Sequence, residues 1–165
     1  MTAVAEHFLA SDTPIEFAGL VLSSGFSNIP NLMKTYVIGG VIPILSPLRS
    51  YPSLQKFISD RIVDTWDTAS RLKHVAALST RLELQILHAR NDYNIGWRHS
   101  DILYNAAAAG IFGNDFNATN SVKDRMPPDE SASLRVLHDG DANFVRQTIL
   151  EHGGQYTSVL VQWTP

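Results

Sequence analysis

Three side chains of this sequence have the types and the order of a Ser-Asp-His relay. Ser27, Asp92 and His152 each lie in a polar segment that follows an apolar run of strand character. Open α/β sheets place their chemistry just past the carboxyl ends of buried strands. In such a relay the carboxylate orients the histidine, and the histidine takes the proton of the serine. We therefore take Asp92 as the candidate acid, with Ser27 and His152 as weaker candidates for nucleophile and base.

Each of these residues also has a purely structural interpretation. Asn91-Asp92 is turn chemistry, in which an aspartate side chain caps its own loop. Ser27 lies in Gly25-Phe26-Ser27-Asn28-Ile29, whereas an elbow nucleophile needs Gly-x-Ser-x-Gly so that the strained turn has room. Ile29 replaces the second glycine and should crowd the turn. The spacing alone therefore favours structural roles for both side chains.

The other histidines give little support for catalysis or metal binding. His88 ends a strand pattern, and we expect a buried ring with satisfied hydrogen bonds. His99 and Ser100 are neighbours at the start of a helix, and residues one apart on a helix do not face each other. No H-x-x-x-H or H-E-x-x-H spacing occurs, so the sequence predicts no metal site and no cofactor.

Composition limits the class of protein. The chain has 165 residues, of which 44% are hydrophobic and 18% charged, as in a globular domain. The net charge is -3 and no basic cluster occurs, which argues against a nucleic-acid partner. The absence of cysteine excludes disulfides and Cys-ligated metals. We expect no signal peptide and no membrane span, and the compartment stays open.

Apolar runs and helical periodicity predict an α/β fold with a parallel sheet of about three strands. The predicted strands are Phe17 to Ser24, Arg81 to His88 and Asn143 to Leu150, the first of them buried on both faces. The predicted helices are Thr2 to Leu9, Leu54 to Ile62, Val63 to Leu78, and Arg98 to Ala109, the last ended by Gly110. Residues Gly25 to Asn31 and Ile111 to Ser133 are predicted to be loops.

The stretch from Tyr36 to Tyr51 is apolar but cannot form one helix. Pro43 and Pro47 interrupt it, and Pro52 follows, and each proline would break a continuous helix. A broken apolar excursion between sheet elements suits a lid or pocket wall, and its part from Tyr36 to Leu48 could line an acyl-chain pocket. Simple packing under a loop explains the same composition equally well.

Four blocks of sequence, in order, resemble the C-terminal part of α/β-hydrolase-fold serine hydrolases. The resemblance is closest to fungal proteins of the monoacylglycerol and lysophospholipid lipase branch. It spans most of residues 2 to 160 and covers residues 111 to 141 poorly. The blocks are Phe17 to Asn28, Asp64-Thr65-Trp66, Leu87 to Asp92 with Trp97-Arg-His-Ser100, and Glu151-His-Gly-Gly-Gln155.

The resemblance implies that Asp92 occupies the position of the family's catalytic acid. The family's general base lies in a Gly-Gly-His turn, and this sequence has Gln155 at the matching position. Glutamine cannot accept and return a proton near neutral pH, so only a shifted His152 could replace the base. The family's nucleophile elbow would lie upstream of Met1. We therefore expect a single, incomplete hydrolase domain over residues 1–165.

The expected function follows from that resemblance. We expect a chain that descends from ester or lipid hydrolases but does not itself catalyse hydrolysis. A non-catalytic module that binds a lipid or acyl ester and a truncated gene product with no independent role are the alternatives. An incomplete sheet should also leave an exposed strand edge, which favours self-association.

Overall fold

A computed structural model describes residues 2–35, 37–38, 42–43, 51–61, 65–113, 132–140 and 142–153. Its helices are α1 (Thr2–Leu9), α2 (Ile29–Thr35), α3 (Pro52–Asp60), α4 (Thr68–Leu78) and α5 (Arg98–Phe112). Its strands are β1 (Leu20–Ser23), β2 (Val37–Ile38), β3 (Ile42–Pro43), β4 (Glu83–Ala89), β5 (Ala132–Asp139) and β6 (Asn143–Leu150).

The main sheet has the strand order β1-β4-β6-β5. Strands β1, β4 and β6 are parallel, and β5 pairs antiparallel with β6. The predicted α/β class with three parallel strands is therefore confirmed. Strand β5 begins at Ala132, whereas the predicted loop runs from Ile111 to Ser133. The predicted C-terminal boundary of this loop is therefore wrong. Residues 114–131 of that loop lie outside the described residues.

The hydrophobic core lies between one face of the sheet and the helices. Strand β6 illustrates this one-sided burial, because its side chains alternate between buried and half-buried from Asn143 to Leu150. The core is formed by the residues Ala5, Leu9, Leu20, Leu72, Val75, Ala76, Leu82, Leu84, Ile86, Leu103, Tyr104, Ala107, Ala108, Leu137 and Val145. Helix α5 packs on β4 and β6, and α4 packs against α5.

Strand β1 is buried on one face only, which corrects the prediction of burial on both faces. Leu20 is 5% exposed and belongs to the core, whereas Val21 is 47% exposed. Val21 lies opposite Gln85 in the parallel ladder, on the face turned away from the core. In the described part of the sheet β1 pairs only with β4, so it forms an edge.

Side-chain caps place two helix starts differently from the sequence prediction. Helix α2 begins inside the predicted loop, because the Asn28 side chain accepts the Asn31 backbone N–H at 2.8 Å. Pro30 fits in the first turn, where no helical hydrogen bond is lost. Helix α4 begins at Thr68 rather than Val63, since Asp67 caps it by accepting the Ser70 N–H at 3.1 Å.

The apolar stretch from Tyr36 to Tyr51 lies mostly outside the described residues. Its two described pieces, β2 and β3, form a short antiparallel pair with Ile38 opposite Ile42. The interpretation as a lid or pocket wall therefore stays a prediction. No helix within the described ranges has the length and apolar character that a membrane crossing needs.

Gly110 lies inside α5, so its assignment as the helix stop is wrong. A Cβ at this position would overlap the carbonyl oxygen of Lys73 and lie 2.7 Å from the Ala76 Cβ, both on α4. Gly110 is thus required by the close approach of two helices. The helix ends instead at Phe112, and the following Gly113 has φ 83° and ψ -177°, an extended backbone conformation that glycine adopts far more easily than other residues.

We predict that Gly110→Ala destabilises the protein although alanine favours helix. The steric overlap costs about 1–3 kcal/mol as overpacking, whereas helix propensity returns only about 0.5–1 kcal/mol. Gly96→Ala is the matched control, because a Cβ at Gly96 meets no atom within 4 Å. Urea unfolding of both variants measures the difference. Equal stability of the two variants would contradict the close helix contact.

Candidate functional site

The parallel order of β1, β4 and β6 brings the three candidate loops to one edge of the sheet. The Ser24 N–H donates to the Leu87 carbonyl at 2.9 Å, which joins the end of β1 to β4. The loops after β4 and β6 are joined as well, since the Gly153 N–H donates to the Asn91 side chain at 3.1 Å. The loop that carries His152 therefore lies beside the loop that carries Asp92.

Asp92 lies three residues past the end of β4 and divides its two oxygens between different environments. Oδ1 accepts the N–H groups of Asn94 and Ile95, both at 3.0 Å. This is the loop-capping geometry that the structural interpretation predicts. Oδ2 is buried and has no hydrogen-bond partner among the described residues. Loop capping therefore explains the position of Oδ1, whereas Oδ2 has no described hydrogen-bond partner.

His88 is the nearest ionisable neighbour of Asp92. Its Nε2 lies 2.8 Å from the Ile95 carbonyl oxygen, so Nε2–H donates to that carbonyl. The same nitrogen is 3.9 Å from Asp92 Oδ2, beyond hydrogen-bond distance. Nδ1 is buried without a partner in the described structure. The expected satisfied, buried ring is therefore found for one ring nitrogen only.

The described contacts do not join Ser27, Asp92 and His152 into a relay. His152 is exposed, and no hydrogen bond or ion pair links it to Asp92 within the described ranges. Ser27 is fully buried and bonds to a different histidine, His99. Gln155, the residue at the family's base position, lies outside the described residues.

Ser27, His99 and Thr35 form a continuous chain of hydrogen bonds. Ser27 Oγ lies 3.0 Å from His99 Nδ1, and the Ser27 backbone N–H donates to the same nitrogen at 3.3 Å. His99 Nε2 lies 3.0 Å from Thr35 Oγ1. Because an N–H faces Nδ1, that nitrogen carries the lone pair and the ring proton lies on Nε2. The Nε2–H then donates to Thr35.

The surroundings of His99 keep the ring neutral. Burial lowers the pKa of His99, and the nearby His88 lowers the pKa further. A protonated ring would also carry an N–H on Nδ1, directed at the N–H of Ser27. The Ser27 main chain is fixed from the other side too, since its carbonyl accepts the Ala69 N–H at 3.1 Å. These bonds join the start of α2 to the starts of α4 and α5.

A cavity of about 510 Å³ lies next to this chain of hydrogen bonds. Its wall comes from α2 and from the start of α5. The lining residues are Asn31, Thr35, Gly96, Trp97, Arg98, His99 and Ile102. Such a volume falls within the range of small-molecule sites, about 300–1,000 Å³. Ser27 is 0% exposed and does not line this space.

Comparisons of this chain with protein-family models, with curated proteins and with solved structures found no match. Within the described residues, no group of three or more His, Asp or Glu side chains could hold a metal ion. A function must therefore be argued from the geometry of the sheet edge and the cavity.

Sequence reasoning did not connect His99 with Ser27. The two residues are 72 positions apart, and local spacing relates His99 only to its neighbour Ser100. As expected, Ser100 does not bond to His99, and its hydroxyl donates to the Trp97 carbonyl at 2.6 Å. The available signal was topological: polar residues after neighbouring parallel strands β1 and β4 meet at the same sheet edge.

We predict that stability falls with acidity through His99. Its pKa is lowered in the folded state, so stability is fully present above the unfolded-state value of about 6.5 and declines as pH falls below it. The slope is at most about 1.4 kcal/mol per pH unit. Urea unfolding between pH 5 and 7.5 should show a flatter slope for His99→Gln than for the wild type. The control His152→Gln, an exposed histidine, should keep the wild-type slope, and an unchanged slope in His99→Gln would refute this account.

Proposed function

We propose that this chain is related to α/β-hydrolase-fold serine hydrolases of esters or lipids and that its 165 residues carry only the acid of their relay. The observation that carries the proposal is Asp92. This carboxylate follows the middle of three parallel strands and has one buried oxygen, Oδ2, with no described partner. A relay acid needs one oxygen held in place and a second oxygen free to accept from a histidine.

The neighbourhood of Asp92 supports the same relationship. Strands β1, β4 and β6 lie side by side in chain order, so successive loops meet at the edge where α/β enzymes carry their sites. The segment after β6 is tied next to the Asp92 loop through Asn91 and Gly153. That is where a relay histidine would be needed. His152 lies in this segment but is exposed and makes no described bond to Asp92.

The same features argue that these 165 residues do not catalyse hydrolysis. The sequence contains no Gly-x-Ser-x-Gly. Ser27 is 0% exposed, and its hydroxyl is engaged by His99. In another serine hydrolase, loss of the nucleophile or the base lowers kcat by about 10⁶-fold. Any hydrolysis by this chain should therefore be near background.

Labelling with a fluorophosphonate probe tests the proposed lack of catalysis. We expect no labelling of the folded chain above that of the unfolded chain, and no turnover of p-nitrophenyl butyrate. An active serine hydrolase serves as positive control, and Ser27→Ala as the matched variant. Stoichiometric labelling at any serine would contradict the proposal, and its loss in Ser27→Ala would identify Ser27 as a nucleophile.

Two further expectations stay predictions. The acyl-chain pocket suggested for Tyr36 to Leu48 rests mostly on residues outside the described ranges. Self-association through the edge strand β1 is supported by its single described partner and by the exposure of Val21. Sedimentation velocity tests the latter, since a monomer at every concentration would exclude it.

A further inference from the structure

Two arginines, Arg90 and Arg98, lie around the Trp97 ring. The guanidinium carbon of Arg90 is 5.6 Å from the ring centroid, and that of Arg98 is 6.0 Å away. Both residues are exposed. Within the described ranges neither forms an ion pair, although three other described arginines do. A chain of net charge -3 thus keeps a local pair of uncompensated positive charges.

One of these two charges, that of Arg98, lines the cavity of about 510 Å³ beside His99. Arg98 and Trp97 both line it, and Arg90 reaches the same Trp97 ring from the loop after β4. Ile102 extends the apolar wall, and Asn31 contributes a polar group from α2. The cavity therefore combines an apolar surface with a positively charged rim.

We propose that this cavity binds a small amphiphilic carboxylate. The carboxylate lies against Arg98, because a guanidinium holds a carboxylate through two charge-assisted hydrogen bonds. The apolar body packs on Trp97 and Ile102. A cationic ligand is disfavoured by repulsion, and a neutral one leaves the Arg98 guanidinium without a partner of opposite charge. The site uses neither Asp92 nor Ser27, so it stands independently of the proposed relationship to hydrolases.

Calorimetric titration of the full chain with octanoate, below its micelle concentration, tests the proposal. We expect saturable binding of one octanoate that weakens as salt is added. 1-Octanol, which keeps the tail without the charge, should bind at least about 10-fold more weakly, since a charged hydrogen bond contributes about 1.5–3 kcal/mol. Inorganic phosphate, which lacks the tail, should also bind more weakly. Octanol or phosphate binding as tightly as octanoate would overturn the proposal.

Three variants locate the site. Arg98→Gln should weaken octanoate binding about 10-fold or more. Gly96→Leu should abolish it, because Gly96 lines the cavity and a Cβ at this position meets no atom within 4 Å, so that the leucine side chain can occupy the space of the ligand. Arg61→Gln is the matched control, since Arg61 also lies over an aromatic ring, Phe57, but does not line the cavity.

The same variants define the results that would contradict the proposal. Octanoate binding that is unchanged in both Arg98→Gln and Gly96→Leu would place the ligand elsewhere and overturn it. An equal loss in Arg61→Gln would show a general charge effect and overturn it as well. Thermal unfolding of each variant verifies that the loss of binding occurs in a folded protein.

Discussion

The hydrogen bonds that His99 makes to Ser27 and Thr35 determine how the candidate site is assembled. They join the segment after β1 to the start of α5, two parts of the chain that the sheet alone brings only close together. The cavity has one wall on α2 and another on α5, so its shape depends on this link. A buried imidazole that is neutral and bonded at both nitrogens is well suited to such a structural role.

The candidate catalytic side chains at the sheet edge form two separate groups, one around His99 and one around Asp92. Ser27 and His99 are in contact but buried, and no carboxylate from the described part of the chain bonds to the ring. Asp92 has one carboxylate oxygen, Oδ2, without a described hydrogen-bond partner. The histidine of the neighbouring loop, His152, makes no described hydrogen bond to it. A relay needs all three groups in one line. We therefore propose descent from hydrolases without catalysis by these residues.

The parts of the fold that follow from local pattern were predictable. Apolar runs indicated β1, β4 and β6, and with them the position of Asp92 at a strand end. Contacts between distant segments were not predictable from local rules. Local propensity predicts a helix stop at Gly110. Glycine is instead required there because α4, a helix more than thirty residues earlier in the chain, packs too closely for a side chain. The bond between Ser27 and His99 depends equally on which strands are neighbours in the sheet.

Hydrogen–deuterium exchange of a His99→Leu variant tests most directly whether His99 holds α2 in place. At pH 7.5 we predict faster amide exchange in residues 29–35 than in the wild type, because the bonds to Ser27 and Thr35 are lost. Exchange in β4 and β6 should stay unchanged, and His152→Leu should behave as the wild type. Wild-type exchange rates in residues 29–35 of His99→Leu would contradict the account.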